Sequence, residues 1–136
     1  MNTSRSMAFT EKKMIEANNK IKDRENLSPE VVCCVEAAQA KKAENILVLD
    51  LRGLTSFTDY FVIMHGNSGK QNQAIFEAVE QELKQTNVRP LSVEGKENAE
   101  WILMDYGDFI VHIFSARARG YYALEKLWGD GVLHTF

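Results

Sequence analysis

The stretch that decides the fold is WILMDYGDFIVHIF, residues 101–114. Two runs of strand-forming residues, 101–106 and 109–114, are separated only by Gly107-Asp108, which is the length of a tight hairpin loop. The sequence therefore predicts two antiparallel strands with a fixed register. In this register the residues that face each other across the two strands are Tyr106 and Phe109, Asp105 and Ile110, Leu103 and His112, and Trp101 and Phe114.

This register also predicts what each face of the hairpin carries, because side chains alternate along a strand. One face is almost wholly apolar and should meet the core: Ile102, Met104, Tyr106, Phe109, Val111 and Ile113. The other face is mixed: Trp101, Leu103, Asp105, Ile110, His112 and Phe114. It is either a partly exposed contact surface with Trp101 as an anchor, or it is covered by helices with Asp105 and His112 paired inside. The sequence leaves both readings open, and a register error of one residue would exchange the faces.

Helices and strands are predicted on both sides of the hairpin. Ser28-Pro29 is typical of a helix start, and Ser68 with Gln71 forms a candidate capping box for a second helix. Strands are expected at 46–51, 59–65 and 91–94. A last helix after Ser115 carries a stripe that we expect in the core: Tyr121, Leu124, Leu127 and Trp128.

The resulting order, α-β-β-α-β-β-β-α, predicts an α/β fold with a single domain. We expect a mixed five-stranded sheet with helices packed on it. Residues 1–27 are predicted to be a variable, partly disordered extension, residues 28–128 the domain, and residues 129–136 a C-terminal tail. The apolar residues of this tail either fold back on the core or pack in a homodimer.

Composition restricts the class of partner. The net charge is −3 and the sequence pI is about 5.6, which disfavours a protein that binds nucleic acid mainly through phosphates. Between Glu94 and Asp108 five acids stand against one base, which favours a basic protein partner. No apolar run approaches the roughly 18 residues of a membrane helix, and the start lacks the apolar region of a signal peptide. We expect a soluble protein of the bacterial cytoplasm, or of an organelle stroma or matrix.

The sequence gives little sign of catalysis. The three histidines share no metal-binding spacing with one another or with the two cysteines. The turn Gly66–Lys70 follows a strand and opens a helix, so its N–H groups are placed to hold an anion. A nucleotidyl transferase would also need paired carboxylates for magnesium, and no acid-x-acid pair occurs in a strand. A nucleotide-binding enzyme that uses this turn remains the alternative function.

Several motifs together resemble one family, the ribosomal silencing factors, also called the Iojap family. They occur in order between about Ser28 and Trp128: DYFVI (59–63), GNS (66–68), VEG (93–95), WILMDYGD (101–108), VHIF (111–114) and YYALEKLW (121–128). The resemblance implies a fold related to nucleotidyl transferases but without their catalytic acids. It also implies a translational repressor that is not an enzyme and has no catalytic residue, metal or cofactor.

The resemblance further implies a partner. Family members bind the large ribosomal subunit through ribosomal protein L-fourteen and block association with the small subunit, and organelle relatives help to build the large subunit. We expect Trp101 to be the aromatic anchor, with Glu94 and Asp105 as charge partners. Tyr122, Glu125 and Arg119 on the last helix complete the predicted contact set. Arg117 and Arg119 either touch rRNA phosphates or belong to a solvated helix face, and a homodimeric scaffold that reaches the ribosome through other proteins is a third hypothesis.

Overall fold

Six strands and four helices form within residues 27–127 and 132–136, the part of the chain that the computed structural model describes. The helices are α1 (Pro29–Ala40), α2 (Gly69–Gln85), α3 (Ala116–Tyr122) and α4 (Leu124–Leu127). The strands are β1 (Glu44–Asp50), β2 (Tyr60–Gly66), β3 (Ser92–Glu94), β4 (Trp101–Asp105), β5 (Phe109–Ser115) and β6 (Val132–Thr135). Most of the predicted extension, residues 1–26, lies outside the described residues.

All six strands belong to one sheet, in the order β3-β4-β5-β2-β1-β6. Only β2 and β5 are parallel neighbours, so the sheet is mixed as predicted. The predicted number of five strands is wrong, because the tail residues Val132–Thr135 pair antiparallel with β1. Four residues are too few for alternation to identify a strand. Pairing nevertheless gives partners to backbone groups that would otherwise form the exposed edge of β1.

The predicted hairpin and its register are confirmed. Trp101 stands opposite Phe114, Leu103 opposite His112 and Asp105 opposite Ile110. The N–H of Tyr106 donates to the carbonyl of Phe109 at 3.0 Å, which closes the loop around Gly107-Asp108. Gly107 has a φ of 87°, a conformation that glycine adopts at little cost.

Two helices cover the apolar face of the hairpin and the rest of that side of the sheet. α1 and α2 share one hydrophobic cluster with Ile102, Met104, Val111 and Ile113, which are fully buried. Both predicted caps are confirmed, since the hydroxyls of Ser28 and Ser68 accept from the third backbone N–H that follows. Among the described residues, no helix is both long and apolar enough to cross a bilayer.

The last helix differs from its prediction. α3 stops at Tyr122, Ala123 takes a left-handed φ of 46°, and α4 begins at Leu124. This break turns the chain, so the predicted apolar stripe does not stay on one face. Leu124 packs against the core as expected, but Tyr121 is 82% exposed, so its predicted burial is wrong. The side chain of Leu127 and the whole of Trp128 lie outside the described residues.

We predict that Asn72→Ala lowers the free energy of unfolding by about 1–3 kcal/mol, because it removes two buried hydrogen bonds. Asn72 is fully buried in α2, and its Nδ2 donates to the carbonyls of Ala99 (2.9 Å) and Phe114 (3.2 Å). Urea unfolding measures the change. Gln81→Ala, at an exposed position of the same helix, is the control, and equal effects of the two substitutions would contradict the assigned role of Asn72.

Candidate functional site

The mixed face of the hairpin is covered at one end and open at the other. Phe114 of β5 and Ala118 of α3 belong to a second buried cluster, and Leu124 of α4 packs against this cluster. Farther along the same face, Leu103, Asp105 and Ile110 remain partly exposed. The face is therefore covered by helices at one end only, and the open part is a surface on which a partner can dock.

Trp101 is held rigidly at the boundary between these parts. Its ring lies 5.0 Å from that of Phe114 and 4.6 Å from that of Tyr122, measured between centroids. Its Nε1 donates to Nδ1 of His112 at 3.1 Å. The residue is only partly buried, so the open part of the indole presents an apolar surface whose orientation is set by these contacts.

His112 is the polar support of Trp101. It is 3% exposed, and burial lowers its pKa from 6.5 to about 4. Because Nδ1 accepts from Trp101, the ring proton of the neutral imidazole sits on Nε2, which has no hydrogen-bond partner among the described residues. The alternative in which His112 pairs with Asp105 is wrong. Leu103 stands opposite His112, and Asp105 instead accepts from the N–H of Gly107 at 2.8 Å.

The structure brings four of the predicted contact residues together. β3 pairs with β4 so that Glu94 stands opposite Leu103, and Ser92 opposite Asp105. Directly opposed residues share a face of a sheet, so Glu94 and Asp105 lie on the same face as Trp101. Tyr122 joins them through its ring contact with Trp101 and is 44% exposed.

Two predicted contact residues do not join this group. Arg119 is 7% exposed; its guanidinium donates to the carbonyl of Glu44 at 3.3 Å and lies 3.0 Å from Nδ1 of His65. The expectation that Arg119 belongs to a solvated helix face is therefore wrong, and its contacts tie α3 to β1 and β2. The backbone of Glu125 lies in α4, and its side chain lies outside the described residues.

Two exposed apolar residues, Leu54 and Phe57, were not predicted as surface residues from the sequence, and Phe57 lies near this face. They lie in the segment between β1 and β2, and the ring of Phe57 lies 6.1 Å from that of Phe61. Phe61 belongs to the buried cluster under the mixed face, so Phe57 extends the apolar surface. Large apolar residues in a connection between strands are the signal that points to such a surface.

At the turn Gly66–Lys70, two backbone N–H groups that could hold an anion already donate to side chains of the protein. The hydroxyl of Ser68 accepts from the N–H of Gln71 at 3.0 Å, and Oε1 of Gln71 accepts from the N–H of Asn67 at 2.7 Å. A Cβ on Gly66 would lie 2.2 Å from Oδ1 of Asn72, so the turn is closely packed. Within the described residues no cluster of His, Cys, Asp and Glu is arranged to hold a metal ion.

Comparisons with known proteins agree on one family. The family model described as "Ribosomal silencing factor during starvation" matches residues 24–135. The ribosomal silencing factor of Bacillus subtilis is 45% identical over 97 residues, which is 71% of this chain and 82% of that protein. A crystal structure of a protein from Chromobacterium violaceum superposes with a TM-score of 0.72 at 35% identity, covering 74% of this chain and 83% of that one. The mouse protein "Mitochondrial assembly of ribosomal large subunit protein 1" is 30% identical over 69% of this chain and 42% of its own length.

We predict that His112 makes the protein less stable in mild acid. Its pKa in the folded chain lies below that of the unfolded chain, so the unfolded chain takes up the proton first and stability falls as the pH drops from about 6.5 towards 4. Between pH 7.5 and 5 the free energy of unfolding should fall by about 2 kcal/mol more in the wild type than in His112→Gln. Glutamine retains an acceptor for Trp101 but does not titrate.

Chemical denaturation at several pH values measures this difference, and NMR of the imidazole nitrogens reports the protonation directly. Parallel stability curves for the two proteins, or an imidazole that titrates near 6.5, would contradict a buried neutral His112.

Proposed function

The chain belongs to the family of ribosomal silencing factors, and from this membership we propose that it binds the large ribosomal subunit and prevents the small subunit from joining it. The observation that carries the proposal is the half-open sheet face that carries Trp101, Glu94 and Asp105, with Tyr122 of α3 packed against Trp101. We propose ribosomal protein L-fourteen as the direct partner. Such a factor represses translation by its position and needs no chemistry.

The chemistry of the face suits a basic protein. Glu94 and Asp105 supply negative charge beside the aromatic surface of Trp101 and Tyr122, and complementary charge speeds encounter and fixes orientation. A standard interface of about 800 Å² per partner would be sufficient. Trp101 is already oriented by His112, so little conformational entropy is lost when it is buried against a partner.

The printed name of the mouse relative, which refers to assembly of the mitochondrial large subunit, supports the large subunit as the partner. It also supports a second role for this chain in building that subunit. Both roles use one contact surface, because a factor bound to an immature large subunit and one bound to a mature subunit meet the same ribosomal protein.

The proposed role is non-enzymatic. Membership in a regulatory family supports it, and no observation favours the nucleotide-binding alternative at Gly66–Lys70, where Ser68 and Gln71 occupy two backbone N–H groups. The structure favours the reading of that turn as a helix start.

We predict that Tyr122→Ala and Glu94→Lys each weaken binding to isolated large subunits by about tenfold or more, as expected for contact residues at the centre of an interface. The first removes an exposed ring, and the second reverses a charge without touching the core. Co-sedimentation with purified subunits in sucrose gradients measures binding, and the fraction of joined ribosomes measures repression. Trp101→Ala should be at least as damaging, although it also removes the hydrogen-bond donor to His112.

Glu82→Lys is the matched control, because Glu82 is exposed on α2, which packs on the opposite face of the sheet. It should bind and repress like the wild type. The proposed function fails if the wild type stays at the top of the gradient at low salt. The proposed face fails if Glu82→Lys weakens binding as much as Glu94→Lys.

A further inference from the structure

A groove opens beside Trp101, between the loop that leads into β4 and the helix α3. Its volume is about 680 Å³, which lies within the range of sites that hold small ligands. The lining combines aromatic rings with one acid and one base. The residues that matter are Gly95, Glu100, Trp101, Arg117, Tyr121 and Tyr122.

Three aromatic rings form a continuous surface along the groove. Tyr122 contacts Trp101 at 4.6 Å between centroids, and Tyr121 meets Tyr122 edge to face at 5.1 Å. Tyr121 is 82% exposed although it is large and partly apolar. Exposed aromatic rings offer stacking surfaces to planar ligands such as nucleobases.

The carboxylate of Glu100 is held in a fixed position at this groove. The hydroxyl of Ser115 donates to its Oε2 at 2.8 Å, while the same hydroxyl accepts from the N–H of Ala118 at 3.1 Å. Oε1 of Glu100 has no hydrogen-bond partner within the described parts of the chain. An oriented carboxylate with free lone pairs is an acceptor for two adjacent donors.

Arg117 supplies the complementary charge. It is exposed, lines the same groove, and forms no ion pair with any side chain that the structure describes. A guanidinium that is not engaged by a carboxylate is well suited to bind a phosphate through two parallel hydrogen bonds.

From these three features we infer that the groove binds a guanine nucleotide, with the base stacked on the ring of Tyr121, its edge on Glu100 and its phosphate on Arg117. Guanine is singled out because its Watson–Crick edge presents two neighbouring donors, N1–H and the 2-amino group. Adenine and cytosine each present one donor next to an acceptor, which a carboxylate repels.

The ligand has two potential sources with this chemistry, a free nucleotide or an unpaired guanosine in RNA. A guanosine of ribosomal RNA would connect the groove to the proposed function, but the inference rests on the groove alone. Binding is therefore tested on the isolated chain, so that its failure is separate from a failure to bind ribosomes.

GMP, AMP and guanosine are each titrated into the full chain. Isothermal calorimetry measures the affinity, and the NMR shifts of groove residues locate the binding. We expect GMP to bind at least about tenfold more tightly than AMP, because one bidentate base contact is worth that much. Guanosine should bind more weakly than GMP, since it lacks the phosphate for Arg117. A short single-stranded RNA with one guanosine, compared with the same RNA carrying adenosine, separates the sources.

Variants assign each contact. Tyr121→Ala should weaken GMP about fivefold or more through lost stacking, Glu100→Gln should remove the preference for GMP over AMP, and Arg117→Ala should make GMP and guanosine bind equally. Glu97→Gln is the control, because it removes an exposed acid of the same loop that does not line the groove.

Tighter binding of the guanosine RNA than of GMP would identify RNA as the source, and binding of GMP alone would identify a free nucleotide. The inference is overturned if neither ligand binds saturably at millimolar concentration, if AMP binds as well as GMP, or if the three groove variants behave like Glu97→Gln.

Discussion

The two-residue loop Gly107-Asp108 is the constraint on which the rest of the structure depends. Because the chain reverses between Tyr106 and Phe109, the register of β4 against β5 has one solution, and that register decides which side chains are buried. A shift by one residue would place Trp101 in the helix-covered core and Ile102 on the open face. The positive φ of Gly107 is thus connected, through strand alternation, to the position of the contact surface.

The parallel pairing of β2 with β5 determines where the helices α2 and α3 begin. Gly66 and Ser115 stand side by side where the two strands end, and the helices that follow leave towards opposite faces of the sheet. α2 joins the cluster on the apolar face, and α3 joins the cluster on the mixed face. α3 therefore covers one end of the mixed face and brings Tyr122 against Trp101.

Local patterns in the sequence were sufficient for the hairpin, the two serine caps and the grouping of Trp101 with Asp105. Contacts between distant segments were not predictable in this way. β6 exists because β1 offers an open edge, which no window of four residues reveals. Arg117 and Arg119 look alike in sequence, but two positions on a helix differ by about 200°, so one faces the groove while the other is buried beside His65. The break at Ala123 is likewise invisible to a pattern that assumes one continuous helix.

Several polar and aromatic side chains at the open face are oriented by hydrogen bonds to neighbouring residues of the protein. Trp101 is oriented by His112, Asp105 by the N–H of Gly107, and Glu100 by Ser115. Side chains that are fixed before contact lose little rotamer freedom on binding, so more of the interaction energy appears as affinity. Fixing Trp101 has a cost, because Nε2 of His112 is buried without a partner among the described residues. A buried donor without a partner lowers the stability of the fold, while Nδ1 of the same ring supplies the acceptor that orients the indole.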